Sequence, residues 1–553
     1  MNYAHKPDPV DVLIIGTGAT GATAAKVLTE SGLKVVALER GPWLKPEQFS
    51  GDELKFLNRN YIWPDEKLKP RTYRPDENAQ TVVRRFSPTP NLVGGGTVHM
   101  SGWFPRAAKS DFMLHTLHGD VPGASLADWP ITYEELEPYY TKVEWEFGVS
   151  GKGGLNKYEA PRSKEYPCPP MPLSPYGKVF HEACSKLGYN SFPMPQAVIT
   201  KEHKGRKPSN HSGFVQQFGD PTSGRSSTLH TFVPEALSTG LLELRPDTYV
   251  REITLHKDGR AKGAIYIDEN GREVEQEASI VILTCGAIES ARLLLASKSN
   301  LFPDGLANSS GQVGRNVTFH EYIFAIGLFD KEIHDPLYGW AGSYVNGASM
   351  EFYETDQSRG HILGSLICAS GLGLPVNWTF PGRPTWGKAA KDTDRELFNH
   401  SMKIGVLVND LPRETNRVEL DPEVKDAWGL PVARITHTAH PNDIRQGNWQ
   451  VDKNIEILKA AGASKTIPVY MEGINGNTCH EQGTARMGND PSKSVLNKWC
   501  RAHDVDNLYV LDGSFLPNLG VNPTLTIMAN AWRCSEYIAQ VHGKGLDVAV
   551  QAR

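Results

Sequence analysis

Cysteine is scarce and scattered in this chain. Seven residues, at positions 168, 184, 285, 368, 479, 500 and 534, lie far apart with no CxxC spacing. An odd, dispersed set fits reduced thiols and supplies neither a disulfide framework nor the clustered ligands of a zinc or iron-sulfur site, so no metal is expected. An excess of one charge is lacking too: the formal net charge is -5 with both signs interspersed. Nothing in that balance favours nucleic acid or an anionic membrane as a partner. The one basic cluster, KEHKGRK at 201–207, reads as a solvated loop. No apolar run approaches the ~20 residues that span a bilayer. The N-terminal stretch MNYAHKPDPVDV has no basic segment followed by an apolar core, so neither membrane insertion nor a secretory signal is expected. Internal repeats and low-complexity linkers are absent as well. What remains is a chain of 553 residues, long enough for two or more substructures around a large core.

The strongest local pattern is VDVLIIGTGATGATAAKVLTESGLKVVALERG at 10–41. It reads as an apolar strand, a glycine-rich turn, an amphipathic helix and a second strand ending in Glu39. Gly16, Gly18 and Gly21 form GxGxxG in that context, and each has its own physical task. Gly16 makes the tight turn, Gly18 lets the backbone approach a pyrophosphate, and Gly21 brings helix and strand together. The helix N-terminus attracts phosphate charge, while Glu39 accepts from ribose hydroxyls and repels a 2′-phosphate. FAD and NAD share this turn, so the fingerprint alone does not separate them. Its position at the N-terminus, with a last strand that also belongs to the site, is the usual flavoprotein layout.

Strand-turn-helix logic recurs in ASIVILTCGAIESARLLLAS at 278–297, and NLYVLDGSFLP at 507–517 supplies a further buried strand. Pieces of one α/β sheet thus lie along nearly the whole chain, which predicts a discontinuous domain. Between 320 and 420 the composition turns to Gly, Pro and aromatic residues, as in a β-rich insertion with many turns.

A second glycine-rich stretch, NLVGGGTVHMSGWFPR at 91–106, joins CGAIESARLLLAS at 285–297, VGRNVTFHE at 313–321 and VLDGSFLPNLGVNPTLTIMANAWR at 510–533. Together with the N-terminal fingerprint, these resemble the glucose-methanol-choline (GMC) oxidoreductase family over most of the chain. Ala291 stands where that family often has proline. DWPITYEELEPYY at 128–140 and VGGGTVHMSGW further resemble the branch of gluconate 2-dehydrogenase, FAD-glucose dehydrogenase large subunits and pyranose oxidases.

The resemblance implies an α/β fold: a Rossmann-like, discontinuous FAD-binding domain with a β-rich α+β substrate-binding domain. The expected division is 1–160, 206–325 and 469–553 for the FAD-binding parts, with 161–205 and 326–468 for the substrate-binding parts. It implies FAD held by Gly16, Thr17, Gly18, Ala19, Thr20, Gly21, Glu39, Arg40, Gly94, Gly95, Gly96, Thr97, His99, Val250, Asp512, Gly513, Asn522, Pro523 and Thr524. His99 stands where pyranose oxidases attach the flavin. A non-covalent contact is expected here, with a covalent link left open.

In the same family a histidine three residues before a Gly-Thr step is the catalytic base, and His480 in NTCHEQGTARMG matches it. The partner position falls on Asn522. Alcohol oxidation needs a neutral imidazole with a pKa near working pH to take the hydroxyl proton. Asn522 can donate to the same oxygen without competing for the proton, and Pro523 after it suits the first turn of a helix. The alternative reading of His480 is a buried, hydrogen-bonded core histidine. His320 is expected to be structural, with a place in the flavin-site lining as the alternative. Cys479 is expected to pack in the core, because an extended strand would turn it away from His480.

The branch often carries a cysteine-rich iron-sulfur motif near 208–235, and this chain has no cysteine there. Electrons are therefore expected to pass to oxygen, a quinone or a protein by another route. The expected function is oxidation of a hydroxyl of a sugar or glycoside to a ketone by hydride transfer to the flavin. A non-sugar alcohol, or a flavin lyase without redox chemistry, is the alternative. An accessory subunit stays open, and the reduced thiols point to the cytoplasm, with export alongside a partner not excluded.

Overall fold

The runs VLII, VVAL, IVIL and LYV are apolar without alternation, which suits a parallel sheet covered on both faces. In the computed structural model, which describes residues 7–49, 67–87, 89–209, 219–333, 347–372, 380, 382–473 and 479–542, these runs pair in parallel. Val10–Ile15 lies between Val35–Leu38 and Glu273–Leu283. Leu242–Arg245 extends the sheet beyond Val35–Leu38, and Leu508–Val510 flanks Glu273–Leu283 on its other side. The first half of Glu273–Leu283 runs instead into an antiparallel ladder with Ala261–Ile267 and, beyond it, Tyr249–Leu255. Helices Ala19–Glu30 and Thr524–His542 pack on each other, so the two ends of the described chain close one layer. The expected α/β class, with a discontinuous dinucleotide-binding sheet, is the observed architecture.

A second sheet is antiparallel, in the order Lys465–Val469, Thr318–Leu328, Ser401–Val408, Ile367–Ser370, Gly347–Ser349 and Phe192–Pro193. Alternate residues on one face, including Ile323, Ala325, Ile404 and Val406, pack on helices Pro175–Lys186 and Pro441–Ala460. The short strand Cys479–Gln482 pairs with the beginning of Thr318–Leu328. The position expected as a boundary, 325/326, falls inside that strand. A third, four-stranded sheet is built from Arg417–Lys425, Pro431–Thr436, Thr72–Arg74 and Val82–Val83. Among the described residues no helix is long and apolar enough to cross a membrane. In the same residues, no group of three or more His, Cys, Asp or Glu could hold a metal ion.

Helix Tyr133–Phe147 begins with a capping box between Thr132 and Glu135 and ends at Gly148 in the left-handed region, a chain-encoded start and stop. It presents Glu144 to Arg106, whose Nε and Nη2 each donate to one carboxylate oxygen at 2.8 Å. Both side chains are buried. Removing the guanidinium leaves a buried carboxylate with only Arg162 to face it. Arg106→Met is therefore expected to cost about 3–5 kcal/mol, read as a lower denaturant midpoint than the wild type.

Candidate active site

A cavity of about 270 Å³ runs along the C-terminal ends of the parallel strands, where α/β sheets bind ligands. Its lining includes Glu39 and Arg40 together with His480, Asp512, Gly513, Pro523 and Thr524. Gly16, Gly18, Ala19, Thr20, Gly95, Gly96, Thr97 and Val250 line it as well.

The predicted residues that do not line the cavity shape it instead. Thr17 donates through its backbone N–H and its hydroxyl to Glu39 at 2.9 and 2.8 Å, and Gly41 N–H donates to the other oxygen at 3.0 Å. Burial raises the Glu39 pKa against these hydrogen bonds. A Cβ on Gly21 would collide with the Gly16 carbonyl, and Gly94 turns the second glycine loop with φ +92°. His99 is buried at the end of the short helix Gly96–His99 and does not reach the cavity wall.

The fit to a dinucleotide follows from the backbone. The helix Ala19–Glu30 has no side-chain cap and no acidic residue in its first turn, so its N-terminal amides and dipole face the cavity. Gly18 and Gly95 approach so closely that a Cβ on Gly95 would sit 2.8 Å from Gly18 Cα. A second helix N-terminus in the cavity, that of Ala287–Ala296, is already answered by the protein. Ile288 N–H donates to Glu481 Oε2 at 2.7 Å and Gly286 N–H to Asp512 Oδ2 at 3.0 Å. The start of helix Ala19–Glu30 is thus left open to phosphate.

Beyond Arg40 the wall is strongly charged. Glu289 is ringed by Lys69, Arg71 at 3.3 Å, Arg292 at 3.1 Å and Arg40 at 3.9 Å. Burial works to raise the Glu289 pKa, but these cations together hold the carboxyl well below its ordinary value. This group was not anticipated from the sequence, because Lys69 and Glu289 are 220 positions apart and only the fold joins them.

At His480 two imidazoles meet. His320 Nδ1 lies 2.9 Å from His480 Nδ1, and His320 Nε2 lies 2.7 Å from the carbonyl oxygen of Leu519. A carbonyl only accepts, so the neutral His320 carries its proton on Nε2 and offers a lone pair at Nδ1. His480 must then donate from its own Nδ1, which leaves the lone pair of His480 on Nε2. That atom lies 3.4 Å from Asn522 Nδ2, while the buried Asn522 Oδ1 has no partner among the described residues. Burial first, and the neighbouring His320 second, hold the His480 pKa well below 6.5. His320, lowered chiefly by burial, titrates at about 4.

His320 thus bridges His480 and the Leu519 carbonyl. A sequence signal existed, since VTFHE places a polar imidazole in an otherwise apolar strand, but only the pairing of that strand with Cys479–Gln482 shows what it faces. The strand also departs from regular geometry. Thr318 pairs with Gln482 while His320 pairs with Cys479, so one extra residue is accommodated on the second strand. His480 takes φ +62°, a region costly for a residue with a side chain and common where function demands it. The simple alternation assumed for Cys479 and His480 does not hold through such a bulge. The Cys479 side chain lies outside the described residues.

The GMC oxidoreductase family matches twice, over residues 10–322 and 412–531. The chain is 37% identical over 96% of its length to 2-methyl-1,2-propanediol dehydrogenase of Mycolicibacterium austroafricanum, covering 96% of that protein. It is 29% identical to the gluconate 2-dehydrogenase flavoprotein of Pantoea cypripedii, covering 100% of this chain and 97% of that one. The fold resembles pyridoxine 4-oxidase of Mesorbium loti with a TM-score of 0.66 at 17% identity, covering 96% and 99% of the two chains.

Two outcomes test this geometry. Gly95 sits at φ +49°, so Gly95→Val is expected to cost about 1–3 kcal/mol in strain and to lower the visible flavin absorbance per mole of purified protein. For His320, the unfolded chain takes up a proton below pH 6.5 that the folded chain refuses until about pH 4, so its contribution to stability is lost as pH falls through that window. His320→Asn removes the contribution. The gap in denaturant midpoint between wild type and this variant should change between pH 7 and pH 5, and the pH dependence of the variant should be the shallower.

The matched segments cover most of the chain and include both the glycine fingerprint and the His480 region: the chain belongs to the GMC oxidoreductase family, the FAD-dependent oxidoreductases of CH–OH donors.

Proposed function

We propose that this enzyme oxidises a hydroxyl of a sugar or sugar derivative to a carbonyl, with His480 as base. The observation that carries the reading is the hydrogen-bonded order Leu519 carbonyl, His320, His480, Asn522 at the cavity. His480 Nε2, kept neutral by burial, accepts the substrate hydroxyl proton. Asn522 Nδ2 donates to the same oxygen and holds the carbon in place. As positive charge arrives on His480, His320 Nδ1 accepts from its Nδ1–H and steadies the imidazolium. FAD bound along Gly16–Thr20 and Gly95–Thr97 would supply the hydride acceptor.

Non-covalent FAD fits this reading, because His99 is not among the residues lining the cavity. The electron acceptor in the proposal is oxygen, a quinone or a protein, and an accessory subunit is compatible with it. Six free thiols among the described residues suit a reducing compartment such as the cytoplasm. The 37% identical diol dehydrogenase favours a second reading, a small non-sugar alcohol as donor, while the gluconate 2-dehydrogenase flavoprotein favours the first.

The test is anaerobic reduction of the purified flavoprotein by a panel of sugars, glycosides and simple diols. A sugar should bleach the oxidised flavin band. His480→Ala should slow bleaching about 10²–10⁴-fold, and the wild-type rate should hold from pH 8 down past 6.5 before falling in acid, because protonation of His480 is displaced downward. Bleaching by diols alone would transfer the assignment to the second reading.

A further inference from the structure

The strand that carries His320 also carries Tyr322 and Phe324 on the same face, since successive side chains alternate. The opposite face is committed to the core through Ile323 and Ala325. Along this second sheet the ladder places Ile326 beside Lys403, and Phe324 beside Gly405, which pairs on its other side with Cys368. Gly405 leaves room for the Tyr322 phenol to cross the neighbouring strand, where a Cβ would collide with it.

Above this surface Lys403 extends back towards His320. Its Nζ stands 5.2 Å from the centroids of both Tyr322 and Phe324. Among the described residues no carboxylate forms an ion pair with it. The one ionisable group that favours its charge is the Cys368 thiol, which burial pushes up to about 12 and so leaves neutral. A half-buried ammonium resting on two aromatic faces is only partly compensated for lost hydration. It lies one to two strand repeats from His320, a distance of roughly 7–14 Å along the strand, which a hexose-sized molecule can span.

We propose that Lys403, with Tyr322 and Phe324 as its apolar floor, binds the carboxylate of a polyhydroxylated acid substrate at the end remote from the carbon facing His480. The inference rests on the reading of the enzyme as an oxidiser of sugar-type hydroxyls. A single lysine matches one carboxylate charge, whereas a dianionic phosphate ester would call for a second cation. The aromatic rings offer faces for the C–H groups of the sugar chain.

The experiment is anaerobic flavin reduction by matched pairs, gluconate with sorbitol and glucuronate with glucose, with glucose 6-phosphate alongside. Wild type, Lys403→Met and Lys403→Arg are compared as holoenzymes of equal flavin content. The wild type should prefer the acid of each pair. Lys403→Met should lower kcat/KM for the acid about tenfold more than for its neutral partner, mainly through KM, and Lys403→Arg should restore most of that difference. Equal use of acid and neutral partners by the wild type would overturn the inference. So would a parallel loss for both in Lys403→Met, the signature of a packing role, or a preference for the phosphate ester. If no sugar, neutral or acidic, bleaches the flavin, the sugar reading itself falls and takes this inference with it; if neutral sugars bleach it and acids gain nothing, only the present inference falls.

Discussion

One hydrogen bond, between the Nδ1 atoms of His320 and His480 at 2.9 Å, sets the chemistry of the site, and the Leu519 carbonyl sets its direction. Rotate that carbonyl away and His320 could carry its proton on either nitrogen, and so could His480. The fold spends several contacts on keeping it in place. Gln482 Nε2 donates to the same Leu519 oxygen at 3.3 Å, Asn518 Nδ2 donates to the Asp410 carbonyl at 3.0 Å, and Trp129 Nε1 donates to the Asn518 carbonyl at 3.2 Å. Gly520 N–H reaches Asp111 Oδ1 at 3.3 Å. Asp111 is in turn held by the Tyr353 hydroxyl at 2.8 Å, yet burial outweighs these bonds and raises its pKa to about 7. The loop under the base therefore rests on residues from five distant stretches of chain, which is the usual way a site is kept within the narrow tolerance catalysis requires.

The cavity has a charge logic of its own. Arg40, Lys69, Arg71 and Arg292 gather around a single carboxylate, while the neighbours bonded to His480 are a neutral imidazole and an amide. An electronegative ligand segment is favoured where amides and cations cluster, and a neutral base survives only where they do not. Glu481 shows how closely the two are managed. It follows His480 in the chain, yet its carboxylate is drawn to Ile288 N–H and to the Thr89 hydroxyl at 2.7 Å and leaves the base without an anionic partner. A carboxylate bonded directly to His480 would favour its protonated form and would oppose its use as a base at neutral pH.

The parts legible in the sequence are those in which local pattern and final role coincide. Apolar runs announced the parallel strands, GxGxxG with Glu39 announced the first turn, and the Gly-Thr step after His480 marked it as the proposed base through a family resemblance. What His320 and Lys403 face was illegible for a different reason. Each is a polar residue in a strand whose meaning depends on which strand lies beside it, and a pairing across 160 residues, as between His320 and His480, leaves no trace in a window of a few. The bulge at His480 was hidden as well, because a single extra residue in a four-residue strand looks like any other residue until its partner strand is known.

That bulge explains what the strain at His480 achieves. In a regular pair His480 would be held flat in the ladder, with its side chain fixed by alternation to one face. The left-handed turn at φ +62° lets Nδ1 meet His320 while Nε2 reaches toward Asn522, two contacts on opposite edges of one ring. A residue in that region costs about 1–2 kcal/mol, and the surroundings hold it there. Gly483 follows at φ +92° with its N–H on the Gly513 carbonyl at 3.2 Å, and Thr484 is anchored to Ala287 O at 2.7 Å. The strain thus sits at His480, just ahead of two anchored residues. Relaxing it would not simply move a histidine; it would separate the proton-accepting atom from the residue that decides which atom that is.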